Sequence, residues 1–221
     1  MNTTPRLDEM PTEFPVFPLS GALLLPHGKL PLNVFERRYL AMIEDALSAG
    51  RVIGMIQPDE LRPATPSGPA LYKVGCLGRL SSFSETDDGR VLVTLTGVIR
   101  FAVKVELELH RGYRRVRGDL ARFRADLEAD PAPDSIDRDG ILDALRAYFT
   151  ARGFDANWDA INEMPDDALV TTLAMVCPFD PAEKQALLEA SGTPGRASTL
   201  MTLLRMGAHT AEPGRRGRQA S

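Results

Sequence analysis

The chain is poor in the residues that carry most enzyme and metal chemistry. It has 2 cysteines, 3 histidines and 1 tryptophan in 221 residues. Cys76 and Cys177 stand far apart, each among apolar neighbours, so they read as buried thiols in a reducing compartment and speak against a disulfide framework. His27, His110 and His209 lie outside metal-ligand spacing of one another and of either cysteine, which argues against the common zinc patterns. No run approaches the roughly 20 apolar residues that span a bilayer, and the polar stretch Met1 to Glu13 lacks the apolar centre of a signal peptide. A cytoplasmic chain with no membrane segment is therefore expected. Basic charge is also in short supply: the formal net charge is −4 and the pI about 5.5. Nucleic acid is thus disfavoured as the main partner, because phosphate backbones are met by clustered Lys and Arg. Arg111, Arg114, Arg115 and Arg117 do lie close together, and read as alternating charges on the exposed face of a strand.

What is present is an ordinary globular balance, 43% apolar and 25% charged, with enough length for one large domain or two small ones. From Phe14 to about Leu120 the pattern is mainly extended. Phe14-Pro-Val-Phe-Pro-Leu, with its prolines, suggests an edge strand or an extended entry. Leu23-Leu-Leu and Leu30-Pro-Leu-Asn-Val-Phe follow. Apolar residues then recur at three- and four-residue spacing through Phe35, Tyr39, Met42, Ile43 and Ala46, predicting a helix that ends near Gly50, with Phe35 and Tyr39 on its buried face. Val52-Ile-Gly-Met-Ile is a compact strand, and Asp59 to Ala70, rich in proline and glycine, is a loop expected to be mobile. Two strand-like runs, Tyr72 to Phe83 and Val91 to Thr96, flank Asp88-Gly89, a strong hairpin signal. Phe101 to Leu109 alternates as a further half-buried strand.

At Ala129-Asp-Pro-Ala-Pro-Asp-Ser the composition shifts, and beyond it the periodicity is helical. Ile141, Leu142, Leu145, Tyr148 and Phe149 form a stripe closed by Gly153. A second helix covers Asp166 to Val176. Asp180-Pro-Ala-Glu opens a third with an N-cap, a first-turn proline and a capping-box glutamate, and Thr193-Pro194 opens a fourth. Strands first and helices second predict an α+β chain. The expected division is a flexible 1–13, a β-rich 14–128, a helical bundle over 134–208 and a disordered tail over 209–221.

Catalytic constellations are not found. Gly21, Gly28 and Lys29 have the wrong spacing for a phosphate loop, and Leu30 stands where the magnesium-holding Ser or Thr would be. There is no Gly-x-Ser-x-Gly elbow. Asp87 and Asp88 precede a glycine, as hairpin turns require, and do not read as a cation site. No catalytic, cofactor or metal residues are expected.

The segment Phe17-Pro-Leu, Leu23-Leu-Leu-Pro26, Pro31-Leu32 and Phe35-Glu-Arg-Arg-Tyr39 resembles the opening of the N-terminal, substrate-binding domain of Lon proteases. Ile53-Gly-Met-Ile, Tyr72-Lys-Val-Gly-Cys-Leu-Gly, Asp88-Gly-Arg and Gly97-Val-Ile-Arg-Phe resemble later parts of that family, in the same order. The resemblance implies a PUA-like pseudo-barrel followed by a helical bundle. It further implies a non-catalytic module that binds unfolded or partner polypeptides. Full Lon proteases continue into an ATPase and a Ser-Lys peptidase. No such segment is seen up to Ser221, so the expectation is a stand-alone member without enzyme activity. The proline-bounded apolar run makes Leu23, Leu24, Leu25 and His27 the expected partner contacts. The alternative is RNA binding, which PUA-like folds support elsewhere. Its motivation here is limited to the Arg111 to Arg117 cluster and the Arg215-Arg216-Arg218 tail.

Overall fold

Phenylalanine against glycine is the packing theme around which the strands assemble. The structure is a computed structural model that describes residues 6–128 and 136–210. The proline-rich boundary at 129–135 and the arginine-rich tail lie outside the described residues. Six strands are present among the described residues: β1 Glu13–Pro18, β2 Lys29–Val34, β3 Val52–Ile56, β4 Val74–Glu85, β5 Val91–Glu106 and β6 Arg114–Asp119. They form one mixed sheet of order β2-β5-β4-β3-β1-β6, and a further pairing of β5 with β6 closes five of the strands into a ring. β2 hangs outside the ring, paired with the first half of β5. Inside, Phe14 and Phe101 meet edge to face at 4.9 Å. Both rings are fully buried with Val16, Leu77, Ile99 and Val116. A Cβ on Gly54 or Gly75 would lie within 3 Å of the Phe101 ring, and one on Gly118 would strike Phe14. Burial of each ring is worth about 1.5–3 kcal/mol, and it requires these close backbone approaches.

Helix α1, Arg37–Ser48, buries Tyr39, Met42, Ile43 and Ala46, and Tyr39 stacks on Phe17 at 4.2 Å. Phe35 departs from expectation. It precedes the helix and is 66% exposed, because the chain is still extended there and its side chain falls outside the helical repeat. β1 is not an edge strand either. It runs parallel to β3 and antiparallel to β6. The β3 pairing begins only at Val16, so Pro15 sits where the strand still has one open edge, the position that tolerates a missing N–H. The two runs expected around Gly97 are one 16-residue strand, β5.

The chain divides into two compact units. The first comprises the described residues of Met1–Ala129 together with Asp180–Glu189, the second those of Asp130–Phe179 and Ala190–Ser221. Helix α5, Pro181–Glu189, thus belongs with the sheet, whereas its sequence position suggested the helical bundle. Its capping box forms as expected on the Glu183 side, with the Asp180 N–H donating to Glu183 Oε2 at 2.8 Å. Polar groups hold it. Lys184 Nζ donates to the Gly21 carbonyl (2.8 Å), and Gln185 Nε2 donates to the Val74 carbonyl (3.1 Å). Gln57 Nε2 donates to the Pro181 carbonyl (2.9 Å), while its Oε1 accepts from the Gly21 N–H (3.1 Å). Gln57, Lys184 and Gln185 are all buried, where an unsatisfied polar group would cost about 1–3 kcal/mol.

In the second unit α2 (Arg138–Arg152), α3 (Trp158–Glu163), α4 (Asp166–Val176) and α6 (Gly192–Thr210) bury Ile141, Leu145, Tyr148, Val170, Leu200 and Leu204. Gly207 lets α6 approach α2: a Cβ there would lie 2.4 Å from the Tyr148 ring. Gly153 closes α2 in the left-handed conformation, φ 68°. The short α3, capped by Asn157, was not foreseen. Helix α6 continues through His209 to Thr210, past the expected start of the tail.

Candidate functional site

The four residues expected to meet a partner fall in the loop between β1 and β2, and the structure separates them. Leu23, Leu24 and Leu25 are 2%, 1% and 0% exposed. They belong to the core and offer no apolar patch, which corrects the expectation of an exposed run. The cause is a close backbone contact. The His27 N–H donates to the Gly97 carbonyl (2.9 Å) and the Gly97 N–H donates to the Gly28 carbonyl (2.8 Å). The loop is thereby drawn onto β5, and a Cβ on Gly97 would sit 1.9 Å from the Leu25 carbonyl oxygen. His27 is exposed, at φ 65°. In Gly97-Val-Ile-Arg100-Phe101 each landmark therefore has a distinct task. Gly97 receives the loop and Phe101 fills the barrel. Arg100 makes a buried bidentate pair with Asp126 (2.7 and 2.9 Å) and donates to the Leu188 carbonyl of α5 (3.0 Å).

The arginine cluster is largely neutralised. Arg111 pairs with Glu44 (2.8 Å) and Asp45 (2.6 Å) of α1, Arg117 with Glu13 (2.6 Å) and Arg115 with the same carboxylate (3.5 Å). Arg114 is buried, bonded to Glu106 (2.6 Å) and to the Pro69 carbonyl (2.6 Å). Tyr113 donates to Asp45 at 2.8 Å. Burial, then that hydrogen bond, pushes the phenol up to about 12. Burial also acts to raise Asp45, but hydrogen bonds from Tyr113 and Arg111 outweigh it and hold the carboxyl below its ordinary value. These arginines brace α1, β1 and the 59–70 loop. That loop is itself tied at its base by the Asp59 N–H to the Ala70 carbonyl (2.7 Å).

An exposed apolar residue, Leu92, instead sits on the arm that β2, β4 and β5 extend beyond the ring. Here the register aligns Asn33, Leu92 and Ser84, and beside them Pro31, Thr94 and Ser82. Because cross-strand partners share a face, these six line one side of the arm and form a shallow groove of about 350 Å³. Leu92 is 45% exposed within it; Phe83, the cross-strand partner of Val93, belongs to the opposite face of the arm and is 42% exposed. No charged side chain lines the groove. β2 pairs with β5 alone, and β4 has no described ladder partner opposite β5 beyond Arg79, so the arm carries open backbone edges. Such edges accept an added strand, with affinity from main-chain hydrogen bonds. The sequence does not reveal this surface because Leu92 sits in the unbroken apolar run Val91–Val93, where nothing local tells a wet residue from a buried one; only the register shows which face stays wet. Among the described residues no group of three or more His, Cys, Asp or Glu could hold a metal ion. No helix among them is long and apolar enough to cross a membrane.

Comparison with known proteins agrees with this architecture. The chain is 27% identical over 121 residues to Lon protease 2 of Myxococcus xanthus, a match covering 55% of this chain and 14% of that protein. The chain spans 12–14% of the length of the first curated relatives it matches. Among solved structures, its fold is similar to the Lon N-terminal domain protein from Xanthomonas campestris (TM-score 0.58, 21% identity, 86% of this chain and 97% of that one). It is also similar to the N-terminal domain of Mycobacterium avium complex Lon protease (TM-score 0.60, 16% identity, 87% and 97%). A family model, the ATP-dependent protease La (LON) substrate-binding domain, matches residues 13–206, and the chain belongs to that family.

Proposed function

We propose that this protein is a non-catalytic polypeptide-binding module that captures extended, apolar segments of unfolded or partner proteins on the β2-β5-β4 arm. The observation that carries the reading is the uncharged groove around Leu92, flanked by open strand edges. An extended chain would gain main-chain hydrogen bonds from an edge and side-chain burial from the groove. Half-exposed apolar residues ringed by Ser, Thr and Asn suit partners of varied sequence, since little there is charge-selective. Phe35, exposed just past the end of β2, adds apolar surface to the same strand's continuation. Of the four contacts expected from sequence, His27 alone is retained in the proposal, because it is exposed two residues before β2. The family description, a substrate-binding domain, supports a binding role. The pairing of Arg111, Arg114, Arg115 and Arg117 with carboxylates weighs against RNA as the main partner at that cluster, while Arg215, Arg216 and Arg218 lie outside the described residues.

The test is retention of a permanently unfolded model protein, and delay of its aggregation, by the purified chain. Leu92→Asp with Phe83→Asp should abolish both while leaving the thermal transition within a few degrees of wild type, as both sites are half exposed. Unchanged binding in the double variant would remove the arm from the site. No binding by the wild type would end the proposal.

A further inference from the structure

A second cleft lies elsewhere on the β-unit and shares no residue with the groove on the arm. Its volume is about 420 Å³, within the roughly 300–1,000 Å³ of ligand-sized sites. Its character is opposite. Arg62, Lys73 and Lys104 line it, with Leu71, Val103 and Val105 as its apolar part. Among the described residues Arg62 and Lys73 make no ion pair; Arg62 donates only a long bond, 3.4 Å, to the Leu71 carbonyl. Lys104 has Asp119 at 3.4 Å on the exposed surface, a pair of little strength. The one carboxylate lining the cleft, Glu106, is already engaged by buried Arg114 at 2.6 Å. Asp59, Glu60 and Glu189 act on the nearby Tyr72 phenol but do not line the cleft. Burial, with their charges behind it, raises that phenol's pKa and keeps it a protonated donor. The cleft thus presents cations in excess.

It also presents backbone. β4 pairs with β5 only as far as Val74 opposite Ala102, and the Val103 N–H is taken by the Lys73 carbonyl at 2.8 Å. β5 continues to Glu106 with β6 as its only described neighbour. Lys104–Glu106 is therefore a strand edge facing the cleft, its far side left open where β4 has not yet begun. An edge flanked by unpaired cations is a template for an anionic strand.

We propose that this cleft is a second peptide site, distinct from the arm, that takes an extended segment bearing carboxylate side chains. The segment adds to the Lys104–Glu106 edge of β5, and Arg62, Lys73 and Lys104 neutralise its charge. Short edges, cationic rims and a partly apolar floor select an acidic stretch with alternating apolar residues. A small anion would use the cations and leave the edge and the floor empty. A nucleic acid strand would bring phosphates but could not pair with the edge.

The experiment uses fluorescein-labelled ten-residue peptides of alternating Glu and Val, Gln and Val, and Lys and Val, with fluorescence polarisation against the whole chain at low and high salt. The Glu-Val peptide should bind best and weaken as salt rises, since exposed charge pairs are screened within about 8–10 Å at 0.10–0.15 M. Arg62→Glu with Lys73→Glu should weaken it about tenfold or more through lost and reversed rim charges, while Leu92→Asp leaves it unchanged. Amide exchange at Lys104–Glu106 should slow when the peptide is bound. Equal affinity for the Gln-Val peptide, no effect of the double reversal, or unslowed amides would each overturn the proposal. So would a single-stranded RNA that binds the cleft more tightly than the Glu-Val peptide and is lost in the same variant. Failure of the arm proposal would show in the unfolded-protein assay, with the wild type or the Leu92 and Phe83 variants, and not in the peptide titration, so the two outcomes are separable.

Discussion

Gly97→Ala is the sharpest test of how the loop before β2 is held. The substitution adds one methyl group at a position with no unusual φ, so its cost comes from contact and not from backbone preference. That methyl carbon would sit 1.9 Å from the Leu25 carbonyl oxygen and 2.7 Å from the carbonyl carbon, both backbone atoms that no rotamer change can move aside. The loop must retreat by more than an ångström. Doing so breaks the paired hydrogen bonds from His27 to Gly97 (2.9 Å) and from Gly97 to Gly28 (2.8 Å), worth about 0.5–1.5 kcal/mol each. Overpacking of buried Leu23, Leu24 and Leu25 adds about 1–3 kcal/mol. The expected loss is therefore about 2–6 kcal/mol. Gly89→Ala is the control. Its φ is 78° and nothing lies within 4 Å of the added carbon, so conformation alone sets a cost of about 1–2 kcal/mol. Because the chain has two units and its single tryptophan, Trp158, lies in the helical one, tryptophan fluorescence would miss the effect. Urea unfolding should be followed by hydrogen exchange on peptides from β4 and β5. A Gly97→Ala loss below that of Gly89→Ala would refute the reasoning.

Asp126→Ala strands the buried Arg100 guanidinium, which also supports α5 through the Leu188 carbonyl. A loss of about 3–5 kcal/mol is expected in urea unfolding of the β-unit. Replacing both partners by apolar residues should recover most of it. The Tyr113 phenol, pushed up to about 12 by burial and then by its bond to Asp45, should ionise last among the tyrosines of the β-unit in an ultraviolet titration. Asp45→Asn should lower its midpoint without restoring the ordinary value, since burial remains. The folded phenol holds its proton more tightly than the unfolded one. Its contribution to stability is therefore full below pH 10 and is lost between about 10 and 12. The depressed Asp45 carboxyl acts at the other end. Its contribution is present above the ordinary carboxylate value and disappears as pH falls through the lower folded value.

Much of this protein was legible without coordinates because local chemistry decides it. The α1 stripe, the Asp88-Gly89 hairpin, the Gly153 helix stop and the Asp180 capping box each rest on residues within one or two turns of one another. The ordered motifs from Phe17 to Phe101 were enough to suggest the family. What the sequence could not decide depends on partners distant in the chain. Leu23, Leu24 and Leu25 look the same whether they face water or Gly97, and the contact that buries them spans some seventy residues of sequence. Arg111 to Arg117 read as alternating charges on an exposed strand face; that Arg114 is instead buried, and that Glu13, Glu44, Asp45 and Glu106 pair with the four, depends on other elements. Helix α5 carries Lys184 and Gln185 on its buried side, so no apolar period reveals that it docks on the sheet. Periodicity shows that a strand has two faces, but only the closure of the ring decides which face stays exposed. That closure leaves Leu92 at the surface of the arm, and the same topology leaves Lys104–Glu106 as an open edge.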